Sequence, residues 1–515
     1  MKTPSTQLYD LIYSLSSSEK RYLTLHIDTK KGKDNDLAIQ FLKLILKNEG
    51  KSVEEIEKKI TFTKYISRLK KYLYENVMEC LDDYHLNKFP TISIRKSINQ
   101  IEHLYHKNLY DKCIVLVKQN LKQAEQIDHQ ALKIELYSWY IKIVGAIEDK
   151  QSLKILKDLL LKKENSTSKL DIENKYQKLH VSIFGYTEQL GSLYSKKGHQ
   201  KLKEMMDHPL LMNNSIPTSF YSKKIFNLIY YNYYKYINDH EKSIYHIKKN
   251  LALYNDYPLR KEMEQEGYLS CLNSCAISMI MNQNYEEAES YFLKMEEIVP
   301  KTLQIEIKIF EFFSSNRLGL YLKLGDLKKG ISLSKIIEKQ LTELSEKINI
   351  RFKSLIYTNL FSLFFFTGDY KKALHYNNLV INLDKSPYRL DVFRYARIIN
   401  ILIHYERKER TSIDYFYDGL SRYLEKDKGN FILEEWVVTF FKSLIKIDVK
   451  DEVSFFREEE RKLLSIIEDP SKQQGLAFLF INWFRTKVDH ISFEEAIKEY
   501  NKMPYKEYVN SRLDS

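Results

Sequence analysis

The sequence predicts an all-α solenoid of about nine antiparallel helical hairpins, preceded by a small helical domain. Three observations carry that expectation. Turn signals recur near Tyr110, Ser152, His199, His240, Tyr285, Leu327, Tyr370, Ser412 and Asp451, at spacings of 39 to 47 residues. A repeat of this length marks hairpins that stack to bury a core none could bury alone. Gly and Pro number only 14 and 9 in 515 residues, too few for the many tight turns of a sheet protein. The chain also exceeds one ordinary core, so it must be elongated or multidomain.

Residues 1–88 do not follow the repeat and form a separate N-terminal helical domain, either a cap or a degenerate helix-turn-helix. Leu8, Leu11, Ile12 and Leu15 share one face of a helix expected over Gln7 to Ile27, followed by a loop from Lys30 to Asp36. A second helix is expected from Leu37 to Lys47. Ser52-Val-Glu-Glu55 is a capping box that opens a short helix to Ile60. A long helix then runs from about Thr63 to Tyr84. If this pair were a helix-turn-helix, Lys64, Arg68, Lys70 and Lys71 could reach phosphate or base edges. The turn Thr61-Phe62-Thr63 lacks the usual glycine, which favours a helical cap.

Residues 89–467 carry the solenoid, and the patterns Lys472 to Lys487 and Ser492 to Asn501 form a closing C-terminal cap over 468–515. Four hairpins show their chemistry most clearly. Their turns read Asn284-Tyr285-Glu-Glu-Ala288, Gly368-Asp369-Tyr370-Lys-Lys-Ala373, Gly325-Asp326-Leu327-Lys-Lys-Gly330 and Asn108-Leu109-Tyr110-Asp-Lys-Cys113. Gly or Asn can take the left-handed conformation that ends the first helix. Asp or Asn can then cap the second. The small residue three positions on lets the two backbones approach.

This pattern resembles the tetratricopeptide repeat, with its Gly-x-Tyr-x-x-Ala turn, an aromatic and a closing proline. The period here, about 42 residues against 34 in that family, resembles the longer-armed bacterial type found in peptide-sensing and phosphatase-type regulators. The resemblance implies a right-handed superhelix with a concave groove that binds a protein or peptide segment. Groove-lining positions of the family fall on Asn232 and Lys235, Ser270 and Asn273, and Thr358 and Ser362 in this sequence. The set contains no full carboxylate clamp.

Motifs for catalysis are missing from the sequence: there is no phosphate loop, HExxH or CxxC. Glu102-His103-Leu-Tyr-His106 offers two imidazoles with no third convergent ligand. Neither a metal nor a cofactor is therefore expected. Cys80, Cys113, Cys271 and Cys275 are too scattered for a disulfide framework, and Cys275 falls on a core position. The run Tyr230-Tyr231-Asn232-Tyr233-Tyr234-Lys235-Tyr236 could stack bases between cations, but helical geometry turns most of these rings into the core. No apolar run is long enough for a signal peptide or a membrane span, which leads us to expect a cytoplasmic protein.

Charge divides unevenly. Residues 1–250 carry 42 Lys and Arg against 29 Asp and Glu, whereas the remainder is nearly balanced. An acidic partner would therefore meet the N-terminal half. The sequence thus leads to a non-enzymatic scaffold or adaptor holding a protein or peptide partner. The alternative is a transcriptional or signalling regulator whose basic N-terminal region binds nucleic acid while the solenoid senses a peptide.

Overall fold

Helices and short turns make up the computed structural model, which describes residues 6–30, 32–86, 88–147, 152–190, 196–383, 390–426, 432–447, 452–467 and 474–513. No strand occurs among them. The chain divides into two compact units, Met1–Glu306 and Ile307–Ser515. No helix among the described residues is long and apolar enough to cross a membrane.

The period seen in the sequence is a period of helix starts. Tyr110–Gln126, Ser152–Leu190, His240–Asp256, Tyr285–Glu296, Leu327–Leu344 and Tyr370–Ile381 each begin at an expected turn residue. Arg410–Lys426 begins just ahead of Ser412, and Asp451 lies outside the described residues. Near His199 the helix begins earlier, at Lys196.

The turns work as their residues dictate. Asn108, Asn238, Gln283, Gly325 and Gly368 hold φ between 58° and 78°, which stops the preceding helix. The next helix is then capped by a carboxylate or amide. Asp239 accepts from Lys242 N at 3.1 Å, Asn284 from Glu287 N at 3.3 Å and Asp369 from Lys372 N at 3.1 Å. Small residues follow where the helices cross. Cys113, Ala288 and Ala373 are fully buried, and a Cβ on Gly330 would lie 2.7 Å from Leu363 Cδ1.

In the first unit, the N-terminal helices close on a core of Tyr9, Ile12, Phe41, Ile45, Ile56, Leu73 and Val77. The single helix expected over Gln7 to Ile27 is two helices, Gln7–Ser14 and Ser17–Thr29. Ser16 is the reason: with Glu19 it forms a capping box that starts a new helix and turns the chain. The expected loop from Lys30 to Asp36 is shorter, because Lys33–Lys47 is already helical. Val53–Glu57 and Ile66–Leu86 replace the helices expected to Ile60 and from Thr63.

Further along this unit, Ser152–Leu190 runs unbroken for 39 residues, where a hairpin turn and a fresh first helix would keep the period. It contains no Pro, and its one glycine, Gly185, lies near its end, so nothing local stops it. The unit is also tied across long sequence distances. Arg260, on the short helix Pro258–Met263, donates from Nε to Ile127 O, and Lys301 Nζ reaches Lys88 O at 3.4 Å.

In the second unit, a π-helical turn at Phe313–Arg317 interrupts the first helix of the Leu327 hairpin. Asn359 Nδ2 donates to Ser315 O at 2.5 Å, supplying a donor to the disturbed ladder. The C-terminal helices do more than cover an end. Gln474–Val488 buries Phe480, Trp483 and Phe484 against Tyr405, Trp436, Phe440 and Phe456. Phe493–Tyr500 returns to the first hairpin of the unit. There Ile497 side-chain atoms lie 3.1 Å from where a Cβ on Gly325 would stand, and Asn501 Nδ2 donates to Lys323 O at 2.7 Å. A simple solenoid joins only neighbouring hairpins; this unit also joins its last helices to its first.

Candidate functional site

A cleft of about 530 Å³ lies in the first unit. It opens between Phe220–Tyr236, His240–Asp256 and the segment before Ser219. Ser219 starts the first of these helices through a reciprocal cap with Ser222. The preceding segment is pinned by two tyrosines: Tyr176 and Tyr230 donate their hydroxyls to Leu210 O at 2.6 Å and Leu211 O at 2.9 Å. Both bonds hold the short helix Pro209–Met212 that precedes the cleft-lining Asn214 and Pro217.

Its floor is aromatic. His246 stacks on Tyr230 with centroids 4.8 Å apart and planes at 12°, and on Tyr234 at 5.7 Å and 15°. Asn227 orients the imidazole. Its Nδ2 is used on Lys223 O at 3.0 Å, so its Oδ1 accepts from His246 Nδ1 at 3.0 Å. That assigns the proton to Nδ1. Burial, reinforced by the Lys249 charge, pushes the His246 pKa down to about 4. The platform is thus neutral at physiological pH.

The rim is charged. Lys223 and Lys249 line the cleft, and neither has an acidic partner within 4 Å among the described residues. Their neighbours Lys224, Lys242 and Lys248 are all paired, with Glu264, Asp239 and Glu287. Lys249 Nζ sits 4.4 Å from the ring centroid of Tyr245, itself 53% exposed. Asp256 marks the other end. The cleft combines a flat neutral platform with unpaired cations, amides and one carboxylate.

A buried polar network supports these helices from behind. Asp128, at φ 46°, accepts from Gln130 Nε2 at 2.6 Å, Lys133 Nζ at 3.1 Å and Phe220 N at 2.8 Å. Glu264 accepts from Lys224 at 2.9 Å and is paired with Arg260. Burial raises the Glu264 pKa, yet Lys224 and Arg260 outweigh it and hold the carboxyl below its usual range. These groups position the start of the Phe220 helix.

The residues singled out in the sequence are placed differently. Asn232 and Lys235 sit on the Phe220–Tyr236 helix but outside the cleft lining; Asn232 is half-buried and Lys235 exposed. Ser270 is half-buried and Asn273 buried. In the second unit, Thr358 donates to Ser354 O of its own helix at 2.7 Å, and Ser362 is buried and hydrogen-bonded to Tyr395. Lys70 is paired with Glu57 inside the N-terminal core region; Arg68 lies 3.4 Å from Asp34, Lys71 3.7 Å from Glu75, and Lys64 is exposed. The helical spacing of Lys223, Asn227, Tyr230 and Tyr234, at intervals of four, three and four, was the available signal for the cleft. Its other wall, His246 and Lys249, belongs to the next helix.

Cys271 and Cys275 are buried, and burial pushes their thiols up to about 11 and about 12. Among the described residues, no group of three or more His, Cys, Asp and Glu side chains is placed to hold a metal ion. No protein-family model matches this chain, and comparison with curated proteins and with solved structures likewise gives no match.

Proposed function

We propose that the protein is a non-enzymatic scaffold that holds an extended, acidic peptide segment of a partner in the cleft of its first unit. The observation that carries this reading is the neutral platform of Tyr230, Tyr234 and His246 beside Lys223 and Lys249, which have no acidic partner among the described residues. Flat aromatic grooves take proline or apolar side chains of an extended chain, whose backbone amides meet side chains such as the exposed Asn214 on the cleft lining. A lysine without an intramolecular partner favours a carboxylate on the ligand. The excess positive charge of residues 1–250 would speed the approach of such a partner.

Selection from a displayed peptide library tests this. Extended sequences with acidic residues next to proline or apolar residues are expected. Their affinity should fall about tenfold or more in Tyr245→Ala, which removes an exposed ring without touching the core. Selected peptides that bind Tyr245→Ala as tightly as the parent would place the function elsewhere. So would a protein that retains nucleic acid but selects no peptide.

A further inference from the structure

We propose that the second unit carries a phosphate-binding pocket, a site separate from the peptide cleft and independent of that reading. A cavity of about 220 Å³ lies between Tyr370–Ile381, Leu390–Glu406 and Arg410–Lys426. Arg397 and Arg422 line it with the amides of Asn378 and Asn400 and the ring of Tyr415. No carboxylate lines it among the described residues. Among the described residues its lining therefore carries two permanent cations and no anion.

The state of these groups points to a missing acceptor. Arg397 Nε is buried and has no hydrogen-bond partner among the described residues. Its guanidinium is held by stacking instead, 4.7 Å from the ring centroid of Tyr423. Such packing fixes the fork while leaving its N–H groups unused. Arg422 donates from Nε to Asp418 O at 3.1 Å, which orients that side chain along its own helix. Asn400 is 2% exposed, and its Oδ1 already accepts from Asn377 Nδ2 at 3.1 Å, so its own amide protons are what it can offer a ligand. A Cβ on Gly419, which also lines the cavity, would meet nothing within 4 Å.

With its Nε enclosed and its ring face stacked, Arg397 can offer a ligand only the outer N–H groups of its fork. An oxyanion in the cavity supplies acceptors for the outer N–H groups of both arginines and for the asparagine donors together. Two cations match the dianion of a phosphate group, and guanidinium forks suit its oxygens. A monocarboxylate would neutralise only one of them. The phosphate could be free or carried on a small ester or a phosphorylated side chain; the chemistry recognised is the same.

Calorimetric titration of the full chain with inorganic phosphate, O-phosphoserine and acetate tests the assignment. Saturable binding of phosphate or phosphoserine is expected, at least about tenfold tighter than acetate, and weakened about tenfold or more in Arg397→Gln. Tighter binding of phosphoserine than of phosphate would identify an ester as the source, and equal affinities the free ion. Gly419→Met provides a second variant. It fills the cavity from a helical position and should abolish phosphate binding without lowering the thermal midpoint. No saturable phosphate binding, acetate binding as tight as phosphate, or binding unchanged in both variants would overturn the proposal.

Discussion

At the scale of single residues, two side chains decide how the cleft is built. Asp128 serves three donors from two parts of the chain, including the Phe220 amide. Asp128→Ala leaves Lys133 buried without its counter-charge and strands that amide. Losing one partner of a buried pair costs on the order of 3–5 kcal/mol, and urea unfolding should show a loss of that size; a loss below about 1 kcal/mol would mean the network is not formed. His246 makes a pH prediction. Its folded pKa, about 4, lies below the ordinary value of 6.5, so the unfolded chain binds more protons between those values. Its contribution is therefore constant above pH 6.5 and turns destabilising as pH falls from 6.5 toward 4. His246→Phe keeps a ring on the platform and cannot titrate. Its stability should fall less steeply than the parent's over that window, and equal slopes would contradict the assignment.

At the scale of elements, the hairpin turn was the most legible feature of the chain. Left-handed Asn and Gly, a capping Asp or Asn and a small residue three positions on are local requirements, and local chemistry reads directly from sequence. Ala373 tests the last of these. It is fully buried at a helix crossing, so Ala373→Leu should overpack the hairpin and cost about 1–3 kcal/mol, measured as a shift in denaturant midpoint. What the sequence did not disclose had other causes. Ser16 and Glu19 form a capping box inside a run that keeps its apolar period, so a break hid within one apparent helix. The 39-residue helix was obscured for the opposite reason: the period calls for a break within it, and no Pro and only the late Gly185 lie there to supply one. The cleft was missed because its two walls come from different helices, with His246 facing Tyr230 and Tyr234 only once the hairpin closes. Asn232 and Lys235 lie on the right helix, but not among the residues that line the cleft.

At the scale of the molecule, the all-helical architecture follows from the period and from the scarcity of Gly and Pro. The ties that close each unit do not, because they join residues as far apart as Lys88 and Lys301 in the first unit and Lys323 and Asn501 in the second. Gly325 probes that closure. It holds φ 71° and meets Ile497 side-chain atoms and Glu494 O at 3.1–3.2 Å from a built Cβ, so Gly325→Val is strained and displaces the returning helix. Trp436 and Trp483 report on this second unit, while all four buried cysteines lie in the first. In a Trp139→Phe background, the variant should lower the midpoint of the fluorescence transition and leave the protection of the thiols unchanged. Loss of thiol protection at the same denaturant concentration would show that the two units do not unfold separately.

We propose that the cleft of the first unit reads an acidic peptide through Lys249 and Lys223. A charge-swap cycle tests it most directly. A selected peptide should lose about tenfold or more in affinity for Lys249→Glu, and a peptide with Lys in place of its acidic residue should lose as much for the parent protein. The two changes together should restore binding, because the pair is re-formed with its charges exchanged. Losses that simply add would contradict it, since the lysine and the acidic residue would then not meet in the complex.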